Sequence, residues 1–327
     1  MKKAIFSKVI FIIFCCVFFA GCGNNRADIK DTAYKVTDYQ GTVVNFKTRP
    51  KRILTLSMST DEIVLGLVKP DKLVAVNTLL DDPVSSNIAA LAKQIPTKIK
   101  NPSVERICSL QPDLVIVPDW NNISIVDNLR DMGINVIVVP GPKNIAQVKQ
   151  SINIIADALG RHSEGTELTA LMDKKIAEIE KKVSAIPKDK RKKIVLVSLM
   201  TTYGGIGSTF DDACKYAGVI NGVSAAGIHN GQALTKEMLV KINPDILLMP
   251  VYDDHGKFNV KTYNEKYLND PSLQTIKAIK NNALVYPREG YIYNASQDIV
   301  FSIQEIARCA YGKEFDFPAN MHLSVVK

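Results

Sequence analysis

Trp120 and Tyr252 are the residues whose spacing points most directly to ligand chemistry. They stand 132 positions apart, and each lies three residues beyond an apolar run, Leu114–Val117 and Ile246–Met249. Two aromatic faces opposed across a cleft suit a flat or aromatic ligand. Arg288, Tyr291 and Tyr293 follow in the segment PREGYIYN. There the guanidinium either offers a bidentate fork to ligand oxygens or is simply solvated. Tyr203 precedes the Gly205–Thr209 segment GIGST, which lacks the lysine of a phosphate-binding loop and reads as a tight turn into a capped helix. Ser59 and Glu62 have capping-box spacing, so Ser59 either caps a helix or touches ligand. His255, in YDDHG, is either a surface residue or a metal ligand. His162, His229 and His322 show no two-histidine spacing, so capture of free zinc or manganese has no ligand set.

The offset of 132 comes from a repeat. SVERICSLQPDLVIV (Ser103–Val117) recurs as TKEMLVKINPDILLM (Thr235–Met249). Glu105 matches Glu237, Pro112 matches Pro244 and Asp113 matches Asp245, while seven further pairs exchange one apolar residue for another. Each copy predicts a short helix, a Pro-Asp turn and a strand apolar on both faces, as in a parallel sheet. Two copies predict two similar α/β lobes with a cleft between them.

The N-terminus stands apart from that fold. Lys2, Lys3 and Lys8 precede twelve apolar residues, Val9–Ala20, and then Gly21-Cys22. This is a secretory signal, too short to span a bilayer comfortably. The Phe19-Ala20-Gly21-Cys22 stretch resembles the lipobox of bacterial lipoproteins, which implies cleavage after residue 21 and a lipid on the Cys22 thiol. Cleavage removes three lysines and lowers the formal charge from +8 to +5. Lysines so few and scattered do not point to nucleic acid. Cys108, Cys214 and Cys309 lie in apolar helical contexts without CxxC spacing, which predicts buried thiols.

The organisation expected is a signal peptide (1–21), a polar tether (22–32), an N-terminal lobe (33–160), a bracing helix (161–187) and a C-terminal lobe (188–327). Strands are predicted at Arg52–Leu56, Leu73–Val76, Leu114–Val117, Val136–Val139, Ile194–Ser198 and Ala283–Tyr286, with helices between them. The brace is predicted over Ser163–Ala185, capped by Ser163 and stopped by Pro187.

Pro50–Leu67 (PKRILTLSMSTDEIVLGL), the two Glu-to-Pro-Asp motifs, the Gly205–Thr209 segment and the long solitary helix occur in an order that resembles the solute-binding components of ABC importers for metal chelates. The resemblance covers about Tyr34 to Phe315. It implies two Rossmann-like lobes with parallel central sheets, joined by a single long α-helix, with the ligand cleft between them and little hinge motion. It implies a non-catalytic, lipid-anchored monomer on the outer face of the cytoplasmic membrane. Such a receptor has no intrinsic cofactor and hands a ferric siderophore, haem or cobalamin to a permease dimer and its ATPase subunits. Glu105 and Glu237 then dock on arginines of the two-fold-symmetric permease, or serve only their helix N-termini. In haem-binding relatives of this kind a His or Tyr on the cleft loop ligates iron, which makes His255 and Tyr252 candidates. Two rival classes are a chelatase-like enzyme on the same paired lobes and a module that recognises a protein or sensor partner. The enzyme needs convergent His and carboxylate groups, and only His255 with Asp253 and Asp254 comes near.

Overall fold

A computed structural model describes residues 33–121, 123–253 and 256–326 of the chain. Cys22, the tether, Asp254 and His255 lie outside the described residues.

The chain opens on an antiparallel hairpin, β1 (Tyr34–Thr37) and β2 (Val43–Phe46), which the sequence reading missed. Its turn is built on Asp38, whose Oδ1 accepts from Gln40 N and Thr42 N at 2.9 Å. The first lobe holds five parallel strands: β3 (Ile53–Thr55), β4 (Leu73–Asn77), β5 (Lys98–Ile99), β6 (Leu114–Pro118) and β7 (Asn135–Val139), in the order β5-β4-β3-β6-β7. The second holds four: β8 (Lys193–Leu196), β9 (Ile220–Asn221), β10 (Ile246–Leu248) and β11 (Leu284–Val285), in the order β11-β10-β8-β9. Every residue of β6 and of β10 is buried, which explains their uninterrupted apolar runs. In each lobe the first parallel strand has later strands on both sides, so the order reverses beside it. A crevice opens at such a switch point, outside the carboxyl ends of the strands.

The repeated Pro-Asp has a plain physical role. Asp113 accepts backbone N–H groups from Lys51 and Arg52, at the entrance to β3 (2.8 and 2.9 Å). Asp245 accepts the N–H of Lys193, the first residue of β8, at 2.9 Å. Gln111 and Asn243, each just before its Pro, are left-handed (φ 50° and 48°), a conformation that stops a helix. One motif therefore ends a helix and clips the middle strand to the first.

The bracing helix, His162–Val183, has 22 residues and is about 33 Å long at the usual rise. Its N-cap is Arg161, not Ser163, because the Ser163 hydroxyl donates to Glu164 Oε2 instead (2.8 Å). Leu168, Met172, Ile176, Ile179 and Val183 are buried. The helix packs closely on Ile145–Ala158, where a Cβ at Gly165 would come within 2.4 Å of the Ala156 methyl. Its other neighbours include the C-terminal helix Ile299–Tyr311. One apolar cluster runs from β3 and the helix Met58–Leu67 through the brace to β8 and β10. The last residues of the chain cross back to the first lobe, where Val325 N donates to Gly66 O at 2.9 Å.

Candidate functional site

A cavity of about 280 Å³ lies between the lobes, walled by loops and helix starts that follow the carboxyl ends of the strands. Met58, Ser59 and Glu62 come from the helix after β3; Leu79 and Ser85 follow β4. The facing wall is Leu199 and Met200 after β8, Tyr252 after β10, and Glu289, Gly290, Tyr293, Asn294 and Ala295 after β11.

The first wall is fixed by capping. Ser57, not Ser59, is the N-cap of Met58–Leu67, and its hydroxyl accepts from Thr60 N at 3.2 Å. The Ser59–Glu62 capping box is therefore not formed; both residues sit in the first turns and face the cavity. Asp61, fully buried, accepts from the Thr55 hydroxyl and from Asn77 N (2.9 Å for the latter), tying the helix start to β3 and β4. Burial lifts its carboxyl well above the usual range. Glu62 is 3% exposed, and burial followed by the charge of Asp298 pushes its carboxyl up to about 7.

The second wall is held from behind. Tyr293 donates its hydroxyl to Ser198 Oγ (2.9 Å) and packs its ring on Tyr203, centroids 5.1 Å apart. Tyr203 reaches the Thr209 hydroxyl at 3.0 Å and is not itself a lining residue, so it supports the site rather than touching its contents. Burial pushes both phenols upward. Glu289 Oε2 accepts from Val251 N and Tyr252 N (2.7 and 2.8 Å), which places the Tyr252 loop. The lobes touch at Gly290, where a Cβ would stand 3.0 Å from the backbone of Ser86.

Three expected site residues lie elsewhere. Trp120 is 59% exposed and outside this cavity's wall. Its ring covers Gly141, where a Cβ would stand 2.1 Å from Cε3, and Asp119 Oδ1 accepts from Gly141 N to hold that arrangement. Arg288 turns away from the cavity. Its Nε donates to Glu305 Oε2 (2.8 Å), its Nη1 to Phe317 O (2.9 Å), and its guanidinium lies 3.7 Å over the Phe317 ring. Tyr291 is a core residue at 2% exposure, packed against Phe301 and Phe317 and bonded through its hydroxyl to Met321. Sequence reading missed Met58, Leu79, Ser85, Leu199, Met200 and Glu289. Their one shared signal is position just beyond a parallel strand.

Glu105 and Glu237 are both exposed, each in the first turn of its short helix, Val104–Ser109 and Lys236–Ile242. The Ser103 hydroxyl lowers the Glu105 carboxyl, and the backbone at the helix start followed by Thr235 lowers that of Glu237, so both stay anionic at neutral pH. Cys214 and Cys309 are buried as expected, whereas Cys108 is partly exposed.

The ABC transporter substrate-binding lipoprotein YvrC of Bacillus subtilis is 28% identical over 81% of this chain and 89% of its own length. A cobalamin-binding protein of Halobacterium salinarum is 26% identical over 66% of this chain and 58% of its own length. Among solved structures, the haem-binding protein RhuT from Roseiflexus superposes with a TM-score of 0.68 at 22% identity, covering 80% of this chain and 98% of that one. The molybdate-binding MolA of Haemophilus influenzae superposes at 0.70 and 18% identity, covering 86% and 92%. The periplasmic binding protein pattern itself runs through residues 53–289, from the first parallel strand to the cavity-lining Glu289, and this chain belongs to that family.

Proposed function

We propose that the chain is the extracytoplasmic substrate-binding component of an ABC importer, a binding protein rather than an enzyme, which captures a metal chelate between its lobes and delivers it to the permease. The cavity carries this reading. It is walled from both lobes at the carboxyl ends of two parallel sheets, the place where open α/β sheets take ligands. Relatives named as binders of cobalamin and of iron(3+)-hydroxamate support the same class of cargo.

The signal (1–21) is removed, Cys22 carries the lipid, residues 22–32 tether the monomer to the outer face of the cytoplasmic membrane, and the lobes span 33–160 and 188–327 about a brace at 161–187. Glu105 and Glu237, one per lobe, meet the permease dimer, whose ATPase subunits drive uptake.

The test is the absorption spectrum of the protein purified from its native host. A Soret band, a corrin band or a broad ferric charge-transfer band supports the reading and separates the cargoes. A colourless protein that binds no haem, corrinoid or ferric siderophore overturns it.

A further inference from the structure

The whole chain has 41 Lys and Arg against 33 Asp and Glu, yet the ionisable side chains lining its cavity include acids and no bases. Among the described residues the carboxyl groups of the lining are Glu62 from one lobe and Glu289 from the other, with no Lys or Arg beside them. Glu289 is fixed through Oε2, while its Oε1 takes no hydrogen bond among the described residues. Asp82 lies near enough for its charge to lift the Glu289 carboxyl further, after burial. The one basic residue next to this wall, Arg288, is drawn out of it by Glu305 and Phe317. The rest of the wall is mostly apolar, from Met58, Leu79, Leu199, Met200 and Tyr293, with Ser59, Ser85 and Asn294 as uncharged polar groups.

An anionic ligand entering this space loses water, finds no cation and meets two acidic side chains, each of which opposes binding. An uncharged ligand meets a mostly apolar wall. A cationic one gains the Glu289 carboxylate on one side and, on the other, the Glu62 carboxyl, which a nearby cation helps to ionise. Resting on the reading that this cavity holds the cargo, we propose that it selects an uncharged or cationic chelate and rejects anionic ones such as tris-catecholates, haem with its two propionates, and oxyanions.

The test measures affinities of the purified protein for four probes by calorimetry: ferrioxamine B (cationic), cyanocobalamin (neutral), ferric enterobactin (trianionic) and haemin (propionate-bearing). The expected result is that ferrioxamine B or cyanocobalamin binds at least about tenfold tighter than either anionic probe, an advantage that screening reduces at high salt. The Glu62→Gln, Glu289→Gln double variant, with its melting temperature as a folding control, narrows that gap. If it does not fold, the salt dependence on the native protein decides. Tightest binding of ferric enterobactin or haemin overturns the charge selection while leaving the chelate-receptor reading intact. So does a preference unmoved by both salt and substitution. If none of the four probes binds, the charge selection falls, and the chelate-receptor reading is decided separately by the absorption spectrum of the protein from its native host.

Discussion

Glu62 of the first lobe accepts a hydrogen bond from the Asn294 side chain of the second, Oε2 to Nδ2, at 2.8 Å. Both residues are buried and both line the cavity. Around them lies a polar seam: Gln297 donates to the Glu62 carbonyl, Asn87 donates to Asp298, and Asp298 also pairs with His322 on the C-terminal tail (2.8, 2.7 and 2.7 Å). The lobes are thus joined at the floor of the cleft as well as through the bracing helix. Two stiff connections restrict hinge motion more than one would.

This seam makes stability depend on pH. Burial, then Asp298, lifts the Glu62 carboxyl from 4.5 to about 7. Between those values the folded protein keeps a proton that the unfolded chain has released, so this group's contribution falls as pH rises through the window. Burial disfavours charge on His322, but Asp298 outweighs it and raises its pKa, so its stabilisation is also lost on the alkaline side. Glu62→Gln stays neutral and keeps the acceptor for Asn294. Its stability relative to the native protein is expected to grow by up to about 3 kcal/mol between pH 4.5 and 8. Paired melting curves across that range check it, and a pH-independent difference would show that Glu62 ionises normally.

Arg288→Ala is expected to cost about 2 kcal/mol of stability, since it removes a charge-assisted bond to the fully buried Glu305 carboxylate and the packing on Phe317. Arg308 still holds Glu305, which limits the loss. Affinity for a bound chelate should stay within about twofold, because the guanidinium points away from the cavity. A large affinity loss with normal melting would put Arg288 back in the site.

The repeat was legible because its chemistry is local: a left-handed residue and Pro-Asp end a helix and clip one strand to the next within a few residues. β6 and β7 were legible because strands covered on both faces leave an unbroken apolar run. The hairpin β1–β2 was not, since its short strands alternate exposed and buried residues without a strong signal. The repeat's symmetry stops where its strands stop. Beyond β6, Asp119 binds the loop after β7 and folds Trp120 over Gly141, whereas Tyr252 is placed by Glu289 at the start of the short helix after β11. No offset between copies encodes those different partners. Arg288 misled for a related reason, because its carboxylate is supplied by Glu305, 17 residues later on another helix.

Gly290→Ala probes a close backbone approach between the lobes. The added methyl would meet the Ser86 and Asn87 backbone at about 3.0 to 3.1 Å, and backbone cannot swing aside as a side chain can. The expected cost is about 2 kcal/mol. Because Gly290 lines the cavity, chelate affinity should fall as well, by tenfold or more. Loss of stability with unchanged affinity would mean that the lobes adjust elsewhere and the cavity does not depend on this contact.

Glu105→Ala combined with Glu237→Ala separates docking from capping. If the two carboxylates only serve their helix starts, each substitution leaves stability almost unchanged and does nothing else, because Ser103 and Thr235 keep both caps. If they meet the permease, the double variant binds chelate as tightly as the native protein and melts almost unchanged, yet uptake in a strain carrying it as the sole receptor is abolished. Each single variant should retain partial uptake, since a two-fold partner offers two equivalent contacts and loses only one of them. The pattern that matters is therefore intact binding with graded loss of transport. Native-level uptake by the double variant would leave the paired glutamates with helix capping as their whole role.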